Sequence, residues 1–170
     1  MPDPFIAETP FFTSEQRNLS TSVAVFIERE IELRSVEEDR DVDASFRSYI
    51  DILARTDLLR YAIAQPGKRL DVRSLCLFRE FLSYSSPLAD LAFVMQGLAT
   101  YPLSLAAPEH VRDFWLKRAA SGQSIAAFAL TEAEAGSDVS AIQTTARREG
   151  DAFVINGSKR FISIAGLADF

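Results

Sequence analysis

The hydrophobic period of this chain changes near residue 124, and that change dictates two kinds of layer, helices first and strands after. Thr13 or Ser14 can cap a first helix with Leu19, Val23, Phe26, Ile27 and Ile31 at spacings of three and four. A second helix fits Ala44 to Leu59 through Phe46, Ile50, Leu53 and Leu58, and Gln65-Pro66-Gly67-Lys68 reads as a turn. Asp71 caps a third helix through Leu75, Phe78 and Leu82. Ser85-Ser86-Pro87 breaks it and starts a fourth, Leu88 to about Tyr101, which is apolar nearly all round and is expected to be buried. Pro108 suits the first turn of a fifth helix carrying Val111, Phe114, Trp115 and Ala119, and Gly122 ends it.

From Ile125 the pattern is that of strands. Ile125 to Leu130 is a short apolar run, expected as a buried strand; Gln143 to Arg148 alternates; Glu149-Gly150-Asp151 turns; Ala152 to Ile155 returns. Asn156-Gly157 is a strong hairpin signal, because a type I′ turn needs positive φ at both central residues, so Ser158 to Ile164 is expected as a further strand. The expected fold class is α+β: an all-α domain over 1–124, then the first strands of an antiparallel, barrel-like β domain over 125–170. A sheet of about four strands with one uncovered edge is a liability. The expectation is therefore a truncated chain, or one piece of a split protein.

Charge and composition exclude several classes. The net charge of −6 arises in residues 1–50, with 11 acids against 5 bases, while the remainder is balanced. No basic stripe exists to neutralise phosphates, so nucleic acid is not an expected partner. No apolar run approaches a membrane span, and the Met1-Pro2-Asp3-Pro4 start has no leader pattern, so no membrane is expected and a cytoplasmic location is the default. The single cysteine, Cys76, excludes a disulfide framework, and the one histidine, His110, has no second ligand nearby in sequence, so no metal site is expected.

The run Thr131-Glu132-Ala133-Glu134-Ala135-Gly136-Ser137-Asp138 follows the first expected strand directly. Gly136 lets backbone approach a ligand, Ser137 offers a hydroxyl and an amide, and Asp138 can cap a short helix through Ile142 whose free N–H groups would face a phosphate. A structural Gly-Ser-Asp turn explains the same residues. Glu132 and Glu134 could form an acid/base pair, although loop carboxylates are usually solvated. On the fourth helix Leu91, Val94, Met95 and Leu98 share one face.

Taken together, Ala126 to Glu132, Ala135-Gly136-Ser137-Asp138, Gly150-Asp151, Asn156-Gly157-Ser158-Lys159 and Phe161-Ile162-Ser163 resemble the acyl-CoA dehydrogenase family in order and spacing, as does Leu116 to Gly122 upstream. The resemblance covers residues 13–170, the front part of a family member. It implies an FAD-dependent oxidoreductase that removes the α and β hydrogens of an acyl-CoA thioester and passes electrons to an electron-transfer flavoprotein. It implies that Phe128, Ala129, Leu130 and Thr131 border the flavin, that Gly136 and Ser137 contact its pyrophosphate with Ser137 also near the CoA, and that Phe161, Ile162 and Ser163 cover one flavin face. It further implies that Leu91, Val94 and Leu98 line the acyl pocket, with Asp90 either at its far end or serving as a simple helix N-terminal charge. Ala133-Glu134 stands where the family often has Pro-Gly, Phe161 where Trp is common and Ser163 where Thr is common. No acid of this chain matches the family's catalytic base, which comes from a C-terminal α domain. The isolated chain is thus expected to be inactive, and the complete protein to be a homotetramer or to take that domain from a second chain. A flavin monooxygenase or nitroalkane oxidase of the same fold, and a non-catalytic subunit or interaction module, remain the alternatives.

Overall fold

Short polar side chains decide where the long helices begin. The computed structural model describes residues 4–170, so the Met1–Asp3 end read above for a leader lies outside the described residues. Its helices are α1 (Pro4–Glu8), α2 (Ser14–Glu30), α3 (Glu32–Ser35), α4 (Val42–Arg55), α5 (Val72–Ser85), α6 (Pro87–Ala106) and α7 (Glu109–Ala120). Thr13 accepts from the Gln16 amide at 3.3 Å while the Gln16 side chain accepts from the Thr13 amide at 3.1 Å, a reciprocal box opening α2. Asp71 accepts from the Arg73 amide at the start of α5, and Ser86 from the Ala89 amide at the start of α6. These caps also join elements. Gln16 Nε2 donates to Asp71 at 3.1 Å, and Ser86 Oγ donates to Glu38 at 2.5 Å beside the Tyr49 hydroxyl.

The apolar faces of α2, α4, α5 and α6 close on one core that includes Ile27, Phe46, Ile50, Leu53, Phe78, Leu82 and Phe93. Phe78 stacks on Phe93 (5.1 Å between centroids) and on Tyr61 (5.3 Å), so α5, α6 and the 3₁₀ turn Leu58–Tyr61 share one column of rings. No helix among the described residues is long and apolar enough to cross a membrane.

Two helix ends differ from expectation. The second expected helix stops at Arg55, because Asp57 adopts φ +57° and the chain restarts as the 3₁₀ turn. The fourth continues through Pro102 to Ala106. Proline removes one donor, but the carbonyl it frees belongs to the exposed Leu98, where water can pair it, and Thr100 Oγ1 bonds back to the Gln96 carbonyl at 2.6 Å. Gly97 sets how close this helix lies to its neighbour: a Cβ there would stand 2.5 Å from the Ala62 carbonyl oxygen.

Past α7 the chain is not the expected meander. Ile125 to Leu130 is not a ladder strand. Its backbone is held by side chains and by the far end of the chain. Ile125 N donates to Asp169 Oδ2 (2.8 Å), Ala126 N to Gln96 Oε1 (2.8 Å) and Ala127 N to the Phe170 carbonyl (3.0 Å). The two strands found among the described residues are β1 (Thr145–Glu149) and β2 (Ala152–Asn156), antiparallel, with Gly150 at φ +63° in the turn. The third expected strand, Ser158 to Ile164, is absent, and Asn156-Gly157 is not a type I′ turn, since Gly157 does not have positive φ. Glycine serves close approach there instead: a Cβ at 157 would lie 2.2 Å from Thr144 Oγ1. Arg160 N then pairs with the Thr131 carbonyl at 3.0 Å, and positive φ at Phe161 and Ile164 curls the chain out of the extended path. Ile164, Leu167 and Phe170 return to the helical core, with the Phe170 ring 4.2 Å from Trp115.

Gln96, fully buried in α6, makes the joint between helices and strands. Its Nε2 donates to the Ser124 (2.8 Å) and Ala119 (3.2 Å) carbonyls while Oε1 accepts from Ala126 N. The Ser124 carbonyl and the Ala126 amide have no other partner among the described residues, while the Ala119 carbonyl also accepts from Gly122 N at 3.2 Å. Gln96→Leu is therefore expected to lower unfolding free energy by about 1–3 kcal/mol or more, read from urea midpoints, whereas the exposed Gln123→Leu should change it by less than about 0.5 kcal/mol. Equal effects would contradict the joint.

Candidate functional site

The segment 128–131 and the chain leading into 161–163 are pinned together twice. Arg160 N donates to the Thr131 carbonyl at 3.0 Å, and Lys159 Nζ donates to the Leu130 carbonyl at 2.9 Å. The structure thus ties Leu130 and Thr131 to Lys159 and Arg160, the two residues that precede Phe161, Ile162 and Ser163. Phe161 is 83% exposed, with the Arg160 guanidinium 5.0 Å over its ring.

Glu132 is the hub of the loop that follows. It is only 7% exposed, and four donors converge on it: Lys159 Nζ (2.8 Å), Gln143 N (2.7 Å), Thr144 N (3.0 Å) and the Thr144 hydroxyl. The Lys159 ammonium first, then the Thr144 hydroxyl and the two amides, hold its carboxyl down at about 2. The expectation of a solvated loop carboxylate fails here. A base role fails too, because a carboxylate this acidic and this fully bonded is a poor proton acceptor near neutrality.

The loop between Glu132 and Gln143 carries the Gly-Ser-Asp run. Asp138 opens the 3₁₀ turn Val139–Ala141, accepting from Ser140 N at 3.0 Å and Ser140 Oγ at 2.5 Å, and these bonds lower its pKa. Arg160 Nη2 donates to the Ala133 carbonyl at 3.0 Å and closes the loop's near side. Gly136 and Ser137 are exposed. Gly136 has no positive φ and a Cβ there would meet nothing within 4 Å, so no backbone angle reserved to glycine is involved. Its remaining use would be close approach of something outside the protein. The hydroxyls of Thr131, Ser137 and Ser163 make no hydrogen bond to described residues, nor does the Thr131 amide. Uncommitted donors on two adjoining segments and an open glycine loop suit a ligand rich in acceptors, such as a flavin ring system with its pyrophosphate.

The acyl-pocket residues divide. A 680 Å³ cavity between α6 and the stretch 62–75 is lined by Val94, Leu98, Gly97, Tyr101, Ala62 and Leu75 among others. Leu91 packs against the core instead. Asp90 does not line this cavity; it is buried in the first turn of α6 and pairs bidentately with Arg79 of α5 at 2.8 and 3.0 Å. Lys159, Arg160 and Gln96 were not legible as site-forming residues. The signals were a lone Gln in an apolar helix and two consecutive cations after Asn156-Gly157-Ser158.

Glu132 carries a pH dependence of definite sign. Its folded pKa of about 2 lies below the ordinary 4.5, so its bonds stabilise the fold fully above about pH 4.5 and are lost as pH falls through about 2. The gap in unfolding free energy between the parent and Glu132→Gln should be widest above pH 4.5 and shrink towards pH 2. A gap that stays constant with pH would show that the charge is not what the four donors hold.

Comparison with known proteins adds the family. Residues 13–123 match the family described as acyl-CoA dehydrogenase, N-terminal domain, and residues 127–170 that described as acyl-CoA dehydrogenase, middle domain. The chain is 32% identical over 165 residues to a 3-(aryl)acrylate reductase of Clostridium sporogenes, covering 94% of this chain and 43% of that protein. It is 32% identical over 161 residues to a cyclohex-1-ene-1-carbonyl-CoA dehydrogenase of Geobacter metallireducens, covering 92% and 42%. The solved acyl-CoA dehydrogenase complexed with FAD from Bacillus anthracis is similar at TM-score 0.77 and 29% identity, over 95% of this chain and 28% of that one. The chain spans less than half the length of these relatives. With both domain matches falling on the helical unit and on the segments just described, the chain belongs to the acyl-CoA dehydrogenase family.

Proposed function

We propose that this chain supplies the N-terminal domain, 1–124, and the opening of the middle domain, 125–170, of an FAD-dependent acyl-CoA dehydrogenase. The observation that supports this reading is the pinning of Lys159 and Arg160 to the Leu130 and Thr131 carbonyls, which leaves the Thr131 amide and hydroxyl without a partner among the described residues. In this reading Phe128 to Thr131 border the flavin through backbone and the Thr131 hydroxyl. Gly136 and Ser137 take the pyrophosphate, with Ser137 also reaching the CoA. Phe161, Ile162 and Ser163 cover one face of the ring system. Bound FAD supplies the hydride acceptor for the β carbon of the thioester. The residues of this chain bind, orient and exclude water around it.

Val94 and Leu98, opening on the cavity, are the acyl-lining residues of this reading, with Leu91 behind them. Asp90 is assigned to the Arg79 pair and does not line the cavity. Since Glu132 is held ionised by four donors, the carboxylate that takes the α proton is assigned outside this chain. An electron-transfer flavoprotein as acceptor and a homotetrameric complete enzyme are parts of the same proposal.

Gly136 provides a clean test because a Cβ added there would meet nothing within 4 Å in the protein itself. Gly136→Val in the complete enzyme should leave the melting temperature of the apoprotein unchanged and yield colourless protein. Ser163→Ala should stay yellow and react more slowly, by the roughly 10- to 100-fold that one missing hydrogen bond near the reacting atom represents. Undiminished FAD absorbance in Gly136→Val would overturn the assignment. The isolated chain, given FAD, acyl-CoAs and a dye acceptor, should show no thioester-dependent dye reduction; turnover would place a base among these residues.

A further inference from the structure

We infer that Lys159 is a positioning residue for the flavin, aiming the Thr131 amide; this rests on the reading above. Its ammonium is partly buried and donates in two directions, to the Leu130 carbonyl at 2.9 Å and to Glu132 Oε1 at 2.8 Å. A trans peptide is planar, with its C=O and its N–H pointing to opposite sides. Holding the Leu130 carbonyl towards Lys159 therefore turns the N–H of Thr131 to the other side of the segment, where no described residue receives it. That amide is the donor the flavin would meet.

The lysine does not make the crossing by itself. Arg160 N already joins the same two segments through the Thr131 carbonyl, and Arg160 Nη2 ties Ala133. Glu132 also keeps three donors when the ammonium is removed, from Gln143 and Thr144. What Lys159 alone controls is the orientation of the Leu130–Thr131 peptide. Glu132, itself fixed by the Gln143 and Thr144 amides and the Thr144 hydroxyl, keeps the ammonium in register with that carbonyl.

Orientation and mere cohesion are separated by comparing two variants of the holoenzyme, Lys159→Met and Thr144→Val. The first frees the Leu130 carbonyl; the second loosens Glu132 by one hydroxyl and leaves Lys159 on Leu130. Lys159→Met should fold as the parent does by far-ultraviolet circular dichroism. It should bind FAD roughly 10- to 100-fold more weakly, the weight of a charge-assisted bond, and the visible circular dichroism of its bound flavin should change. Lys159→Arg should restore both, and Thr144→Val should bind FAD close to the parent. Parent-like affinity and spectrum in Lys159→Met overturn the inference. So do equal losses in Lys159→Met and Thr144→Val, and so does failure of Lys159→Met to fold, since the Arg160 amide is held to suffice for the crossing. A parent that binds no FAD contradicts instead the functional reading itself, before any variant is compared.

Discussion

A single carboxamide decides how the two parts of this chain meet. Gln96 sits fully buried in α6, a helix whose buried residues are otherwise apolar apart from Asp90 and Thr100, and spends both donors and its acceptor on backbone groups of Ala119, Ser124 and Ala126. Burying an amide without partners costs several kcal/mol relative to water, so α6, the end of α7 and the start of the extended segment must hold one arrangement. Gly122, at φ +71°, turns the chain there, and Arg118 Nε fixes Ser124 Oγ from outside. The residues that follow, Phe128 to Thr131, inherit their position from this joint.

Beyond the joint, charge takes over from packing. The hairpin β1–β2 is exposed along both strands and contributes no buried side chain. The loop 132–144 is ordered by Glu132, Lys159 and Arg160, all polar. Bonds to the nearly buried Glu132 carboxylate are charge-assisted and directional, which is the property needed to set donors towards a ligand without covering them. The apolar core built by α2, α4, α5 and α6 provides the stiff base, and a small polar cluster sets the geometry on top of it.

Local signals in the sequence were legible and long-range ones were not. Asp71, and Thr13 as one of two candidates with Ser14, read as caps, and Ser85-Ser86-Pro87 as a helix start, because a cap is satisfied within three residues. The Gly-Ser-Asp loop and the Phe161 to Ser163 run were legible through their resemblance to a family. Asn156-Gly157 misleads, since the hairpin rule considers four residues while Gly157 lies close against Thr144, a contact those four residues do not contain. The fourth helix runs past its expected end near Tyr101, because the cost of Pro102 falls on an exposed face. Glu132 was read as solvated for want of its partner: Lys159 lies 27 residues away. Asp90 found Arg79 rather than a pocket, a choice that neither residue's neighbours in sequence disclose.

Native-state hydrogen exchange at Ala126 tests the joint most directly. This amide is buried and, among the described residues, bonded only to Gln96 Oε1, so it should exchange with the same opening free energy as core amides of α6 such as Phe93. Exchange of Ala126 as fast as the exposed hairpin amides would contradict the account, because the segment carrying Phe128 to Thr131 would then move independently of the helices.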